Sequence, residues 1–211
     1  MIRSRFKKVI TVLVGQSEDD YTVHKDLICA QSPFFRAACN GNFVEAAEGT
    51  VRLPDDEPET FELLLQWLYM GRVGDPKATK PLSWHESAYL YVIAEKLQIS
   101  ELKNAVVDSW ITKSAETCEI PIGVVAYVYC NTPDSSHLRR LLVDMVACAG
   151  STNSLCKRKD DLPHEFLLDL SMALIELRHD NARAEALYKH NRSLYHEHSV
   201  TDLGQEADAD E

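Results

Sequence analysis

The stretch from Tyr21 to Val73 constrains this chain more than any other part of it. It reads Y-T-V-H-K-D-L-I-C-A-Q-S-P-F-F-R-A-A, then N-F-V-E-A, V-R-L-P-D and F-E-L-L-L-Q-W-L-Y-M-G-R-V. A short strand, Tyr21–His24, leads into an apolar helix face made by Leu27, Ile28 and Ala30. Ser32-Pro33 breaks that helix: Ser32 can cap the next one, and Pro33 can take its first position, where no amide hydrogen is needed. Val51 and Leu53 point one way and Thr50 and Arg52 the other, the alternation of a half-buried strand. Pro54-Asp55-Asp56 ends it, and Pro58 opens a helix on which Phe61, Leu64, Leu65, Leu68 and Tyr69 form one apolar stripe at helical spacing. Gly71 terminates that helix.

The flanking segments extend the pattern. Val9–Val14 is β-branched and apolar in character, which suits a strand buried on both faces. Gly15–Asp20 is a polar turn that folds Tyr21–His24 back as its hairpin partner. Gly74–Pro81 is a charged, proline-bounded loop. Ser83 and Glu86 then make a capping box for a helix that buries Ala88, Tyr91 and Val92 or Ala94 and ends near Leu97. Ser100 caps a further helix carrying Leu102, Ala105, Val106 and Trp110. The order of strand hairpin, two helices, strand and three helices predicts an α+β domain, a small sheet covered by helices.

From Cys118 onward helices alone are expected. Ile122, Val125, Val128 and Tyr129 form one short stripe, and Leu138, Leu141, Leu142, Met145, Val146 and Ala149 a cleaner one. Gly150–Asp161 reads as a polar linker. Pro163 opens a helix with Phe166, Leu167, Leu170, Leu174 and Leu177, and a thinner one carries Ala184, Leu187, Tyr188 and Tyr195. The acidic end, closing on A-D-A-D-E, is expected to be disordered.

Composition narrows the function classes. At 211 residues and 45% hydrophobic, the chain can bury one good core, or one domain plus a helical extension. No apolar run approaches the roughly 20 residues that span a bilayer, so a soluble, intracellular protein is expected, cytoplasmic, nuclear or both. A net charge of −11 argues against nucleic acid, whose phosphates call for clustered Lys and Arg. Lys157-Arg158-Lys159 is followed directly by Asp160-Asp161 and reads as a solvated loop. Six scattered cysteines without a C-x-x-C suit reduced thiols, with Cys29, Cys130 and Cys148 expected in the core.

Five pieces in order, Val23-His24-Lys25, Ser32-Pro33-Phe34-Phe35, Phe43-Val44-Glu45, Val51-x-Leu53 and Trp67-Leu68-Tyr69-x-Gly71, resemble the BTB/POZ domain over about Val9 to Lys113. The resemblance implies the BTB fold over 9–113, an N-terminal arm at 1–8, a helical extension similar to the 3-box or BACK type at 114–195, and an acidic tail at 196–211. The layout resembles small stand-alone BTB proteins of fungi. In BTB adaptors for cullin ubiquitin ligases, a hydrophobic-x-Glu turn resembling Phe43-Val44-Glu45 meets the cullin. BTB transcription factors pair an Asp on the first strand with a basic residue. Lys25 supplies the basic half here, but Val9 stands where the Asp is expected, so the corepressor pocket is in doubt. No zinc finger, Kelch repeat or MATH domain follows, and Met1–Lys8 is short for the swapped strand of long-form dimers.

Constellations that suggest chemistry give way to plainer readings. His24, Asp26 and Cys29 suggest a nucleophile and base, yet Cys29 lies between Ile28 and Ala30 on a helix that covers the sheet, where a thiolate is disfavoured; His24 suits a structural hydrogen bond. His190, His196, Glu197 and His198 lack a rigid scaffold for a metal. Neither a P-loop, a G-x-S-x-G elbow nor an H-E-x-x-H helix occurs. The expectation is a non-catalytic protein–protein interaction module, self-associating or meeting a protein partner, without cofactor, metal, nucleic acid, membrane or small-molecule substrate. Interaction residues are expected at Phe43, Glu45, Trp84 and Tyr89. The alternatives are a substrate adaptor for a cullin-3-type ubiquitin ligase and, beyond that, a transcription-associated BTB protein or an unrecognised enzyme.

Overall fold

The structure, a computed structural model, describes residues 7–40, 48–74, 82–179 and 191–197. The chain divides into two compact units, Met1–Val106 and Val107–Glu211.

The first unit is built on three strands, β1 (Val9–Val14), β2 (Asp19–His24) and β3 (Thr50–Leu53), in the order β2-β1-β3. β1 runs antiparallel to β2, with Val9 opposite His24 and Val14 opposite Asp19, and parallel to β3, with Thr11 opposite Thr50. Gly15 makes the hairpin possible: its φ of +75° lies in the left-handed region that glycine enters without a Cβ penalty. Ile10, Val12, Val14, Val23, Val51 and Leu53 fill the core side of the sheet. The expectation that β1 is buried on both faces is corrected: Val9 is exposed and Thr11 and Leu13 are half-buried, so a central strand here alternates.

Helices α1 (Lys25–Gln31) and α2 (Pro33–Asn40) meet at Ser32. Its hydroxyl accepts from the Phe35 amide at 3.1 Å and donates to the Leu97 carbonyl at 2.6 Å, while Pro33 takes the first helical position. One buried side chain thus caps α2 and ties it to the distant end of another helix. Helix α3 (Pro58–Met70) ends at Gly71, φ +70°, whose amide closes on the Trp67 carbonyl at 2.7 Å. Its buried line runs Phe61, Leu64, Trp67 and Leu68; Leu65 is half-buried and Tyr69 exposed, which shifts the expected stripe toward Trp67. Helix α4 (Trp84–Lys96) opens with the capping box: Ser83 Oγ accepts from the Glu86 amide and Glu86 Oε2 from the Ser83 amide at 2.7 Å. It buries Ala88, Leu90, Tyr91, Ile93 and Ala94. Helix α5 (Ser100–Thr117) follows, and the division between the units falls within it. In its first turn the buried Lys103 ammonium meets Glu95 at 3.1 Å.

The second unit is helical throughout its described residues: a 3-10 turn at Ile122–Val124, then α6 (Val125–Asn131), α7 (His137–Ala149), α8 (Thr152–Lys157), α9 (His164–His179) and a last 3-10 turn at Arg192–Tyr195. The α+β class with a helical second half therefore stands. The expected linker at Gly150–Asp161 is corrected, because Ser151 accepts from the Ser154 amide at 3.1 Å and starts α8. Lys157, Arg158 and Lys159 are exposed, as expected, and the Arg158 guanidinium passes beside Gly123. The core is Val124, Val125, Val128, Leu138, Leu141, Leu142, Met145, Phe166 and Leu170, whereas Ala149 is exposed. Ala184, Leu187 and Tyr188 lie outside the described residues. Tyr195 is buried and donates to Asp144 at 2.7 Å.

Candidate protein-interaction surfaces

In the first unit, the pairing of β1 with β2 brings Val9 beside His24. The Tyr69 hydroxyl on α3 accepts from the His24 amide at 3.3 Å and shares a 2.9 Å hydrogen bond with Nδ1 of the same residue. Their rings meet edge-on, with centroids 5.8 Å apart. His24 thus makes the structural hydrogen bond expected of it, between a strand end and a helix end. Around that bond Val9 (55%), Tyr69 (48%) and Met70 (55%) stay exposed. Three large apolar side chains at one corner are the first unit's clearest unburied apolar group among the described residues.

The four residues expected at an interface fare differently. Phe43 and Glu45 lie outside the described residues. Trp84 is the first residue of α4 and half-buried, and Tyr89 stands five positions later, about one third exposed. Five residues turn a helix through about 140° beyond a full circle, so Trp84 and Tyr89 do not share a face. Val9, Tyr69 and Met70 escaped the sequence reading because it assigned Val9 and Tyr69 to the core. The sequence signal was present in Met70, which falls outside the stripe.

The Cys29 thiol is buried against the Phe35 carbonyl. Burial first, then the neighbouring Cys39, pushes its pKa up to about 12, so it is a protonated core thiol at neutral pH. Cys39 is buried beside it, whereas Cys130 is exposed and Cys148 half-buried, which corrects two of the three expected core thiols. Lys25, the basic residue of the expected charged pocket, donates to the Cys39 carbonyl at 2.8 Å and caps the end of α2. His196 contacts Asp108 at 3.2 Å, beside the Arg192 ion pair with the same carboxylate; His190 and His198 lie outside the described residues. Among the described residues no three metal-ligating side chains converge, and no helix is long and apolar enough to cross a membrane.

In the second unit the expected stripe on α9 is only partly buried. Phe166 and Leu170 face inward, while Leu167 and Leu174 are exposed together with Leu168, Met172 and Ile175. The signal lay in the composition: F-L-L-D-L-S-M-A-L-I-E-L carries more large apolar residues than one face can hold.

Comparison with known proteins bears mainly on the first half. A family model described as the BTB/POZ domain matches residues 6–114. Kelch-like protein 21 of Rattus norvegicus is 30% identical over 104 residues, which cover 49% of this chain and 16% of that one. Kelch-like protein 30 of Homo sapiens is 36% identical over 64 residues, covering 30% and 11% respectively. The chain therefore spans 16% or less of the length of these curated relatives. Among solved structures, the BTB domain of human gigaxonin is similar over 51% of this chain and 80% of that one, at 18% identity and a TM-score of 0.40.

Proposed function

Because this chain belongs to the BTB/POZ domain family, we propose that it is a non-catalytic protein–protein interaction module that works by burying exposed side chains against another protein. The family match over residues 6–114 carries this reading. The exposed apolar corner of Val9, Tyr69 and Met70 supports it, since unpaired apolar groups of that kind mark interaction sites. We place the domain at 9–113, with the helical extension of 3-box or BACK type at 114–195 and the acidic tail at 196–211. Its setting in this reading is intracellular, cytoplasmic or nuclear. Self-association is tested by light scattering: a mass that rises with concentration and falls back in Val9→Glu/Met70→Glu places the contact at that corner.

A second reading, adaptor for a cullin-3-type ubiquitin ligase, is favoured by the sequence Phe43-Val44-Glu45, which resembles the cullin-contacting turn of BTB adaptors. Phe43 would fill an apolar pocket on the cullin and Glu45 would take a hydrogen bond or ion pair at its edge. Truncating a buried aromatic anchor costs at least about 2 kcal/mol, some thirtyfold in affinity, but Phe43→Ala also threatens the turn itself. Glu45→Ala is the cleaner probe. Titration of a purified cullin N-terminal domain into the wild-type chain, by calorimetry, is expected to give saturable binding that Glu45→Ala weakens. No heat of binding with the well-folded wild type removes the adaptor reading. If the wild type also stays monomeric and a tagged chain captures no partner from its native cell, the interaction reading fails with it.

A further inference from the structure

The geometry points to a second docking surface, on α9 of the second unit, that receives an amphipathic helix of a partner protein with a basic flank. It stands apart from the reading above, since it uses neither the BTB match nor the Phe43 turn.

The observation is the order of side chains around α9. At about 100° per residue, Leu174, Leu167, Ile175, Leu168 and Met172 lie on an arc of roughly 160°, with the exposed Ser171 and His164 between Leu167 and Ile175. All five are between 40% and 55% exposed. Beyond Met172, within about the next 60°, come Glu165, Glu176 and Asp169, each exposed. The helix thus presents an apolar strip bordered along one edge by three carboxylates. Next to that edge a cleft of about 450 Å³ opens between α9 and α7, with Met172 on its lip and Asp144, Asp169 and Glu176 among its walls. Asp144 and Asp169 each accept a 2.7 Å hydrogen bond, from Tyr195 and Tyr129, which fixes two of these negative charges in place. Two cations share the cleft: Arg139, buried and bonded to carbonyl oxygens of α6's end, and the exposed Arg140, whose guanidinium lies 5.8 Å from the Tyr195 ring centre.

The occupant follows from area and charge. Five half-exposed side chains leave an apolar strip on the order of 400 Å², the size that marks an interaction site on a single chain. That is about half of what one side of a standard protein interface buries, so it suits one helix laid along another. A second copy fits poorly. Antiparallel pairing of two α9 strips sets their acidic edges on the same side, and each chain carries a net −11. A partner helix with Lys or Arg along one flank matches both the strip and its border.

The test uses the full chain and a labelled synthetic peptide of about 18 residues, helical, with leucines on one face and lysines along one flank. A matched peptide carries glutamates in place of the lysines. At about 0.1 M salt, where charges a Debye length apart still interact, fluorescence anisotropy is expected to give saturable binding of the lysine peptide, at least about tenfold tighter than the glutamate peptide. Glu165→Lys/Glu176→Lys is expected to erase or invert that preference, and Leu168→Asp/Ile175→Asp to abolish binding, with melting curves unchanged because all four positions are exposed. Glu59→Lys/Glu101→Lys, on exposed positions of the first unit, is expected to leave binding as it was. Equal binding of the two peptides, equal loss in the Glu59/Glu101 variant, or no binding by the folded wild type overturns the proposal. So does a concentration-dependent dimer that Leu168→Asp/Ile175→Asp abolishes, which makes a second copy the occupant.

Discussion

Arg139 offers the sharpest test of how the second unit is held together. It is buried, yet its carboxylate partner among the described residues, Asp134 at 2.7 Å, has a fully exposed side chain. The charge is instead held by the end of α6. Nη2 donates to the carbonyls of Tyr129 and Thr132, Nε donates to the Thr132 hydroxyl at 3.1 Å, and the guanidinium stacks 4.6 Å from the Tyr129 ring centre. A helix end leaves carbonyls without partners, and here one side chain satisfies two of them. Each hydrogen bond from a charged donor contributes about 1.5–3 kcal/mol, and removing the charge returns part of its desolvation cost. Arg139→Met keeps the stem and loses the donors, so we expect a loss of roughly 3 kcal/mol. Hydrogen-exchange mass spectrometry over Val125–Val146 is the assay, since it isolates this unit's opening from the other's. The loss translates to exchange about a hundredfold faster. Asp134→Ala, by contrast, should leave exchange unchanged. If Arg139→Met exchanges like the wild type, or Asp134→Ala exchanges as fast as Arg139→Met, the staple is not what orders α6.

Other expectations follow from the same packing. Leu64→Ala and Leu142→Ala, both at fully buried positions, should each cost about 2–5 kcal/mol in urea denaturation. Ser32→Ala leaves the Phe35 amide without its cap and the Leu97 carbonyl without its donor, so a loss of about 1–3 kcal/mol is expected by the same measurement. With its pKa pushed up to about 12, Cys29 should resist alkylation at pH 8 while exposed Cys118, Cys130 and Cys156 react, as mapped by mass spectrometry. The same shift means that Cys29 keeps its proton in the folded state above pH 9, the ordinary value of a cysteine thiol, while the unfolded chain loses it. Its contribution to stability is therefore full below pH 9 and lost as pH rises toward about 12.

Much of the first unit was legible because its boundaries are set by residues with local mechanisms. Ser32-Pro33 separates two helices by capping and by a missing amide, Gly71 stops α3 by entering a left-handed conformation, and Ser83 with Glu86 starts α4; each acts within three or four residues. What failed was the assignment of burial. Helical spacing gives the arc on which apolar residues lie but not which part of it a neighbour covers. Trp67 took the core place assigned to Tyr69 because His24 holds the Tyr69 hydroxyl at the surface. Cys39 is buried and Cys130 is not, a difference made by neighbouring helices rather than by adjacent residues. Burial of Arg139 has no sequence signal, since nothing local shows that Tyr129 and Thr132 will turn their carbonyls toward it. Of the expected interaction residues, Trp84 and Tyr89 could be placed on one helix but not on one face, and face is what an interface selects.

Several polar groups that this fold buries are used within it: Ser32 on Leu97, Lys103 on Glu95, Arg139 on the end of α6, Tyr195 on Asp144. Among the described residues, the two surfaces argued above offer a partner exposed apolar side chains and, on α9, exposed carboxylates. These act on different steps of association. Carboxylates steer a basic partner over a distance of about a Debye length and are screened by salt, so they govern the rate of encounter. Apolar side chains act only at contact, resist salt, and govern how long the complex lasts. The corner of Val9, Tyr69 and Met70 is flanked in sequence by the exposed cations Lys7, Lys8 and Arg72. The α9 strip is bordered by carboxylates instead. A basic helix should therefore bind the second with an affinity that falls as salt rises, while salt should strengthen rather than weaken its approach to the first. That difference in sign assigns a basic partner to its surface before any complex is solved.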